Sequence, residues 1–253
     1  MRRFLVEKID PGEGTIRVRG KEARHMSRVL RLGPGDRLIL MDGSGRRFQA
    51  VIRSAGRDEV QLDLERPLPP PPTTPIELTL CAAVLKSKSM DYLVQKSSEL
   101  GVTRIQPFTS SRNVAKIPNE RVQGRVRRWR EIAINAAKQA DRSSPAEVSL
   151  PVSFARLMED WAGIHGMKVL FWEGEDSHDL KHLLRSTGPC EVFAAVVGPE
   201  GGFRVGEVEE ARAAGFAPVS LGRRILRAET AAITAAAIVQ YEWGDLSLAE
   251  AES

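Results

Sequence analysis

The sequence predicts an α/β protein in two parts, a small all-β unit followed by a mainly parallel sheet with helices on both faces. Three observations predict it. The run Pro69-Pro70-Pro71-Pro72 cannot continue a helix or a central strand and favours a stiff extended linker. Before it, short segments alternate apolar and polar residues, the period of half-buried strands. After it, wholly apolar strand-like runs alternate with helical segments, the texture of a parallel sheet buried on both sides. The expected division is therefore residues 1–72 and residues 73–253.

In the first part, Thr15-Ile16-Arg17-Val18-Arg19 alternates, and Arg37-Leu38-Ile39-Leu40-Met41 runs into the turn dipeptide Asp42-Gly43. Phe48–Ile52 and Val60–Leu64 alternate again, and one short helix fits around Glu22–Leu30. This reads as a small β-barrel, an architecture used to bind oligonucleotides. In the second part, Ile76–Val84 is a strand and Ser89–Leu100 a helix, with Ser87 or Ser89 available to cap its start and Gly101 its end. Arg104–Phe108 is a strand. Asn119–Asp141 is a long helix with Trp129, Ile132, Ala133, Ala136 and Ala140 on one side. Val169–Trp172 and Val192–Val197 are buried strands, Val205–Ala214 a helix, Pro218–Leu221 a short strand and Glu229–Tyr241 a helix.

Composition excludes several classes. At 253 residues, 42% hydrophobic and 28% charged, the chain can bury a core without disulfides or metals. No apolar run is long enough for an ordinary transmembrane helix. The N-terminus meets Glu7 too soon for a signal peptide. Cys81 and Cys190 lie far apart in apolar, strand-like runs, so buried free thiols are expected, and with them a cytoplasmic protein.

The net charge of +4 hides an asymmetry. Residues 1–72 carry +5, residues 104–142 carry +7, and residues 143–253 carry −8. Two basic zones point to a polyanionic partner, and 28 of the 37 basic residues are arginine, whose planar fork suits phosphate and base recognition. The alternative is a set of solvated faces.

Three segments carry chemistry. Val197-Gly198-Pro199-Glu200-Gly201-Gly202-Phe203 follows a buried strand, and ligands of α/β sheets bind beyond the carboxyl ends of strands. Its glycines let a ligand approach the backbone, although a plain strand–helix turn reads the same way. Leu221-Gly222-Arg223-Arg224-Ile225-Leu226-Arg227-Ala228-Glu229-Thr230-Ala231 joins a short strand to a helix rich in Ala, Ile and Thr, and Glu229 or Thr230 can open that helix. Between residues 86 and 142 stand Lys86, Lys88, Lys96, Arg112, Gln139 and Arg142, with Arg125, Arg127, Arg128 and Arg130 clustered on the long helix. Phosphate contact and a solvated helix face are both open for that cluster. His178 and His182 have the i, i+4 spacing of metal ligands but no third ligand, so no metal site is expected. No GxSxG motif or catalytic cysteine signature is present, which argues against a covalent hydrolase.

Together these segments resemble the RsmE family of 16S ribosomal RNA uridine-N3 methyltransferases, within the SPOUT superfamily. The resemblance runs along nearly the whole chain, from Met1-Arg2-Arg3-Phe4 and His25–Asp36 through Gln95–Val102 and Gln139-Ala140-Asp141-Arg142 to Gly198–Phe203 and Leu221–Ala231. It departs from the family at Ser110-Ser111-Arg112-Asn113 and at Ala137-Lys138 before Gln139. It implies a PUA-like barrel at residues 1–72 and a SPOUT-type α/β domain with a C-terminal trefoil knot at residues 73–253. It also implies a homodimer, with which the small-residue helix 230–238 is compatible.

The implied cofactor is S-adenosylmethionine (SAM), bent against three loops. Leu170, Phe171 and Trp172 belong to the first, and Gly198, Pro199, Glu200 and Gly202 to the second. Leu221, Gly222, Ile225, Leu226, Arg227, Thr230 and Ala231 belong to the third, where backbone groups of Leu221, Ile225 and Leu226 hold the adenine. The implied acceptor is a uridine of 16S ribosomal RNA or of the small subunit, with no metal and no membrane involved. Glu229 is the candidate base for the N3 proton, and Arg227 and Arg142 are candidate stabilisers of the uracil anion. The expected RNA contacts are Arg2, Arg3, His25, Arg28 and Arg31 of the first part, with Lys86, Lys96, Arg112, Gln139 and Arg142 of the second. The rival readings are a non-catalytic RNA-binding or ribosome-assembly factor, a SPOUT methyltransferase with another RNA target, and a nucleotide-phosphate enzyme. The last would want Lys or Ser/Thr in the glycine loop, which has neither.

Overall fold

The computed structural model describes residues 1–71 and 73–246. The chain divides into two compact units. The first is Met1–Thr73 with Ala137–Pro145, and the second is Thr74–Ala136 with the described residues from Ala146 onward. A single boundary at residue 72 does not anticipate that 137–145 belongs with the first unit. Ion pairs account for it. The Asp141 carboxylate takes Arg3 Nε and Arg47 Nη2, each at 2.8 Å, and Lys138 pairs with Glu22. Asp141 itself is left-handed, at φ 58°, a conformation that short polar side chains tolerate better than most.

The first unit comprises β1 (Arg3–Val6), β2 (Thr15–Arg19), α1 (Gly20–Arg24), β3 (Arg37–Asp42), β4 (Arg47–Ala55) and β5 (Glu59–Leu68). The ladders run β1-β3-β4-β5-β2, with β1 and β3 parallel and the other pairs antiparallel. Period-2 alternation sends Phe4, Ile16, Val18, Leu38, Leu40, Ala50, Ile52, Val60 and Leu62 into one core, so the sheet wraps a single interior. The outward residues form a charge ladder: Arg19–Glu59, Arg53–Asp63 and Arg37–Glu65. The expected helix over residues 22–30 differs from the one found. α1 ends at Arg24, and His25–Val29 continue as a wider π turn with Ala23 and Met26 buried beneath it. β5 passes through Pro67, Pro69–Pro71 have no regular structure, and Pro72 lies outside the described residues.

The second unit comprises β6 (Glu77–Ala83), α2 (Ser87–Glu99), β7 (Arg104–Thr109), α3 (Asn119–Ala140, its last residues counted with the first unit), β8 (Glu147–Val148), β9 (Val152–Ser153), α4 (Phe154–Ala162), β10 (Met167–Phe171), α5 (Leu180–Thr187), β11 (Val192–Val197), α6 (Val205–Ala213), β12 (Ala217–Val219) and α7 (Ala228–Trp243). The strands lie in the order β12-β10-β11-β6-β7-β8, β9 also pairs with β7, and every ladder is parallel.

Alternate residues of the central strands face opposite cores. Leu78, Leu80, Ala82, Phe193, Ala195 and Val197 pack under α2, α3, α5 and α7. Cys81, Ala83, Leu170, Ala194 and Val196 pack under α4 and α6. Both faces are covered, as the uninterrupted apolar runs require. Helices α4 and α5 were not anticipated, although both carry readable signals. Ser153 and Asp179 cap them, and Phe154, Leu157, Met158 and Trp161 recur at helical spacing.

Some local expectations are corrected. Neither Ser87 nor Ser89 caps α2, whose N-cap position is Lys86 without a side-chain bond. Ala140 is exposed, and Ala137 is buried in its place. Cys81 is buried in β6, but Cys190 is only half-buried, two residues ahead of β11, and both thiols are free. Among the described residues no helix is long and apolar enough to cross a membrane.

Asp42 closes the β3–β4 turn. Its side chain is 1% exposed and accepts from the amides of Ile9, Ser44 and Arg46, from the Ser44 hydroxyl and from Arg46 Nε. Burial works against its charge, yet the bonds from Ser44, Ile9 and Arg46 outweigh it and hold the carboxyl below its ordinary value of 3.8. Such a group stabilises the fold above its unfolded pKa and loses that contribution as pH falls through the folded one. Asp42→Asn is expected to cost about 1–3 kcal/mol at neutral pH. Urea unfolding of both proteins from pH 7 to pH 2 should show the gap constant down to about pH 4 and shrinking below it. A gap independent of pH would contradict the assignment.

Candidate cofactor pocket and RNA-contact residues

Because every strand of the second unit is parallel, the segments after β7, β10, β11 and β12 leave the sheet at one edge. They are tied to one another there. Trp172 N donates to Val219 O at 3.1 Å, Ser220 N to His178 O at 2.8 Å, and Leu180 N to Ser220 O at 3.1 Å, joining the loops after β10 and β12. Arg112 Nη1 donates to Gly201 O at 3.2 Å and Ser111 N to Glu207 Oε1 at 2.9 Å, joining the loop after β7 to the loop after β11 and to the first turn of α6. The ring planes of Phe108 and Phe203 are 7° apart and their centroids 6.3 Å apart, anchoring the same two loops from below.

The glycine loop is shaped by close approach. A Cβ at Gly198 would stand 2.8 Å from the buried Phe203 ring, and one at Gly201 3.0 Å from Arg112 O. Gly202 turns the chain at φ +67° and its amide bonds back to Pro199 O at 2.9 Å. Across the loop, the Glu173 carboxylate lies against Gly202 and makes no hydrogen bond or ion pair among the described residues.

The third loop is open backbone. No hydrogen bond among the described residues uses the N–H or C=O of Leu221, Ile225 or Leu226. Ile225 is 90% exposed, while Leu221 and Leu226 are half-buried. These backbone groups have no protein partner among the described residues and are open to solvent or to a ligand. Arg223, Arg224 and Arg227 are exposed and make no ion pair among the described residues. Arg227, rather than Glu229 or Thr230, holds the N-cap position of α7. Glu229 is half-buried in the first turn and accepts from Ser89 Oγ at 3.2 Å, and Thr230 and Ala231 follow on the same helix.

The structure thus gathers Trp172, Gly198, Pro199, Glu200, Gly202, Leu221, Gly222, Ile225, Leu226, Arg227, Glu229, Thr230 and Ala231 around one edge. Leu170 and Phe171 lie in β10 with their side chains in the two cores, so they support the edge from beneath. Arg142 belongs to the first unit.

The expected RNA contacts separate into free and engaged groups. Arg28 and Arg31 are exposed on the first unit, Arg31 in a left-handed conformation at φ 52°. Arg2 is exposed and donates to Leu30 O, whereas Arg3 is held by Asp141 and the His25 ring packs edge-on against Phe4. Gln139 is exposed. On the second unit Lys86 is exposed, and Lys96 is held by Glu99 at 2.7 Å, which raises its pKa. The arginine cluster of α3 is mostly engaged. Arg125 meets Ser87, Arg128 pairs with Asp91, and Arg130 donates to Val148 O, leaving Arg127 without a partner among the described residues. His178 pairs with Glu175, and no group of three metal-ligating side chains occurs among the described residues. Glu207 was not singled out from the sequence, Ser89 was named only as a candidate cap, and Ser111 only as part of the segment after the Arg104–Phe108 strand. Glu207 stands three residues after Arg204 and its Oε2 accepts from Arg204 N, but arginine has no acceptor to return the bond, so no Ser/Thr-x-x-Glu signature marked it in the sequence.

Comparison with known proteins now decides the family. A family model described as an RNA methyltransferase domain matches residues 72–240, and one described as an RNA methyltransferase PUA domain matches residues 18–65. Ribosomal RNA small subunit methyltransferase E of Synechocystis is 34% identical over 89% of this chain and 72% of its own length. The chain belongs to the ribosomal RNA small subunit methyltransferase E family. Among solved structures, the family member from Neisseria gonorrhoeae bound to S-adenosyl methionine superposes with a TM-score of 0.86. It is 30% identical, with 98% of this chain and all of that one covered. A methyltransferase from Legionella pneumophila in complex with SAM gives a TM-score of 0.88 at 30% identity over 96% of this chain and 98% of that one. The second unit is accordingly the α/β fold of these methyltransferases, and the first carries their PUA-like domain.

The close approach at Gly198 yields a direct test. Gly198→Ala should overpack the Phe203 ring and cost about 1–3 kcal/mol in chemical denaturation. Unchanged stability would mean that the loop does not press on that ring.

Proposed function

We propose that this protein transfers the methyl group of SAM to N3 of a uridine in 16S ribosomal RNA. The observation that carries the reading is the cross-tied edge of the parallel sheet. There a glycine loop, an open backbone segment and an unpaired carboxylate meet in a member of this family. The residues fit the cofactor. The free backbone groups of Leu221, Ile225 and Leu226 match the donor and acceptor edge of an adenine, and the glycine loop leaves room for a ribose and an amino-acid tail. When bound, SAM supplies an electrophilic methyl group.

The chain's own residues then have three tasks. The tied loops fix the direction of approach, which an in-line transfer at close range demands. Arg227, exposed and unpaired at the head of α7, stabilises the uracil anion that remains when N3 loses its proton. Glu229, two residues on and bonded by Ser89 Oγ, accepts that proton in this reading. Uracil N3 is the pairing position, so the target base must be unpaired or drawn from its stack. Arg2, Arg28, Arg31, Gln139 and Arg142 on the first unit, and Lys86 on the second, supply phosphate contacts that position the RNA without reading its sequence.

The reading includes a C-terminal trefoil knot in the second unit and a homodimer that uses the small-residue face of α7. It also places the protein in the cytoplasm with the small subunit. It needs no metal.

The experiment is to incubate the protein with SAM and unmodified small subunits or 16S RNA, then map the product by reverse transcription, which N3-methyluracil arrests. A single stop at one uridine is expected, and no transfer to either substrate would refute the reading. Arg227→Ala should lower kcat by about 10²–10³-fold with SAM affinity within a few-fold of the unaltered protein. Normal turnover would remove Arg227 from the mechanism.

A further inference from the structure

The loop after β7 does more than present an arginine to RNA. In the sheet order, β6 stands between β7 and β11, so residues 110–113 reach across the end of β6 to touch the glycine loop. Each point of the crossing is fastened. Asn113 Oδ1 accepts from Ser110 N at 2.8 Å and closes the turn, and Asn113 Nδ2 donates to Val84 O at 2.7 Å, just past β6. Ser111 N reaches Glu207, the carboxylate that also caps α6 directly behind the glycine loop. At the centre, Arg112 Nη1 donates to Gly201 O, and the Arg112 carbonyl oxygen lies 3.0 Å from where a Cβ on Gly201 would stand.

We propose that Arg112 is a positioning residue for the cofactor loop, setting Gly198–Gly202 in its binding-competent form. This rests on the SAM reading of that loop. The guanidinium is exposed, so its bond to Gly201 O contributes little to global stability. Its effect falls on the loop, because a glycine-rich segment without this clamp has many alternative backbone conformations to lose on binding. The clamp is also shape-selective. The Arg112 backbone packs closely on the side of Gly201 on which a Cβ would sit, which limits movement of the loop toward β7.

The test is SAM titration by calorimetry, without RNA, of the full chain and of Arg112→Ala, Arg112→Lys and Glu207→Gln. Arg112→Ala is expected to weaken SAM binding about tenfold, with thermal unfolding unshifted. Arg112→Lys should recover part of the affinity, since an ammonium can still donate to Gly201 O. Glu207→Gln, which loosens the same strap from the other end, should shift affinity in the same direction, and the double variant should lose less than the sum. In turnover, KM for SAM should rise more than kcat falls. SAM affinity within twofold of the unaltered protein in Arg112→Ala would overturn the inference and leave Arg112 as an RNA contact alone. Failure of the unaltered protein to bind SAM would overturn the SAM reading and this inference with it.

Discussion

Parallel pairing throughout the second unit is the constraint from which the site follows. A parallel strand cannot be joined to its neighbour by a tight turn, so each connection crosses a face as a helix and returns to the opposite edge. All the carboxyl ends of β6, β7, β10, β11 and β12 therefore open on one side. The loops leaving them have backbone groups no strand can satisfy. Here they satisfy each other, through Trp172 to Val219, Ser220 to His178, Ser111 to Glu207 and Arg112 to Gly201. Among the groups they leave unsatisfied are the backbone of Leu221, Ile225 and Leu226 and the carboxylate of Glu173. Binding capacity is the remainder of that pairing.

The same edge separates structural from chemical roles. Leu170 and Phe171 end the strand that leads to this edge, yet their side chains point into the two cores. Arg128 and Arg130 belong to a strongly basic helix but are engaged by Asp91 and by Val148 O. Arg223, Arg224 and Arg227 carry the same charge and have no such partners among the described residues. Charge counted along the sequence overstates the cationic surface of α3 and understates that of the loop before α7. An arginine's availability is set by what lies opposite it in the fold.

Much of the fold was legible in the residues. The uninterrupted apolar runs at 192–197 and 169–171 became central strands, and alternation at 15–19, 48–52 and 60–64, with the run at 37–41, became the first sheet. The glycine loop and the Leu221–Ala231 segment were found from their place after strands, and both follow carboxyl ends of strands at one edge of the sheet. What was not legible depends on long-range contact. The attachment of residues 137–145 to the first unit rests on Asp141 meeting Arg3 and Arg47, residues 138 and 94 positions away. The π turn at His25–Val29 rests on Ala23 and Met26 both reaching a core built from other strands. The contact of the 110–113 strap with the glycine loop and α6 was not legible, because Gly201 and Glu207 stand 89 and 96 residues further on from Arg112 and Ser111.

The account's central claim is that SAM occupies the tied edge through the backbone of the third loop. Amide hydrogen exchange with and without SAM tests it most directly. The account predicts new protection at Leu221, Ile225 and Leu226 and in the 198–203 loop, with the first unit unchanged. Protection centred elsewhere, with those three amides exchanging as fast as before, would contradict it.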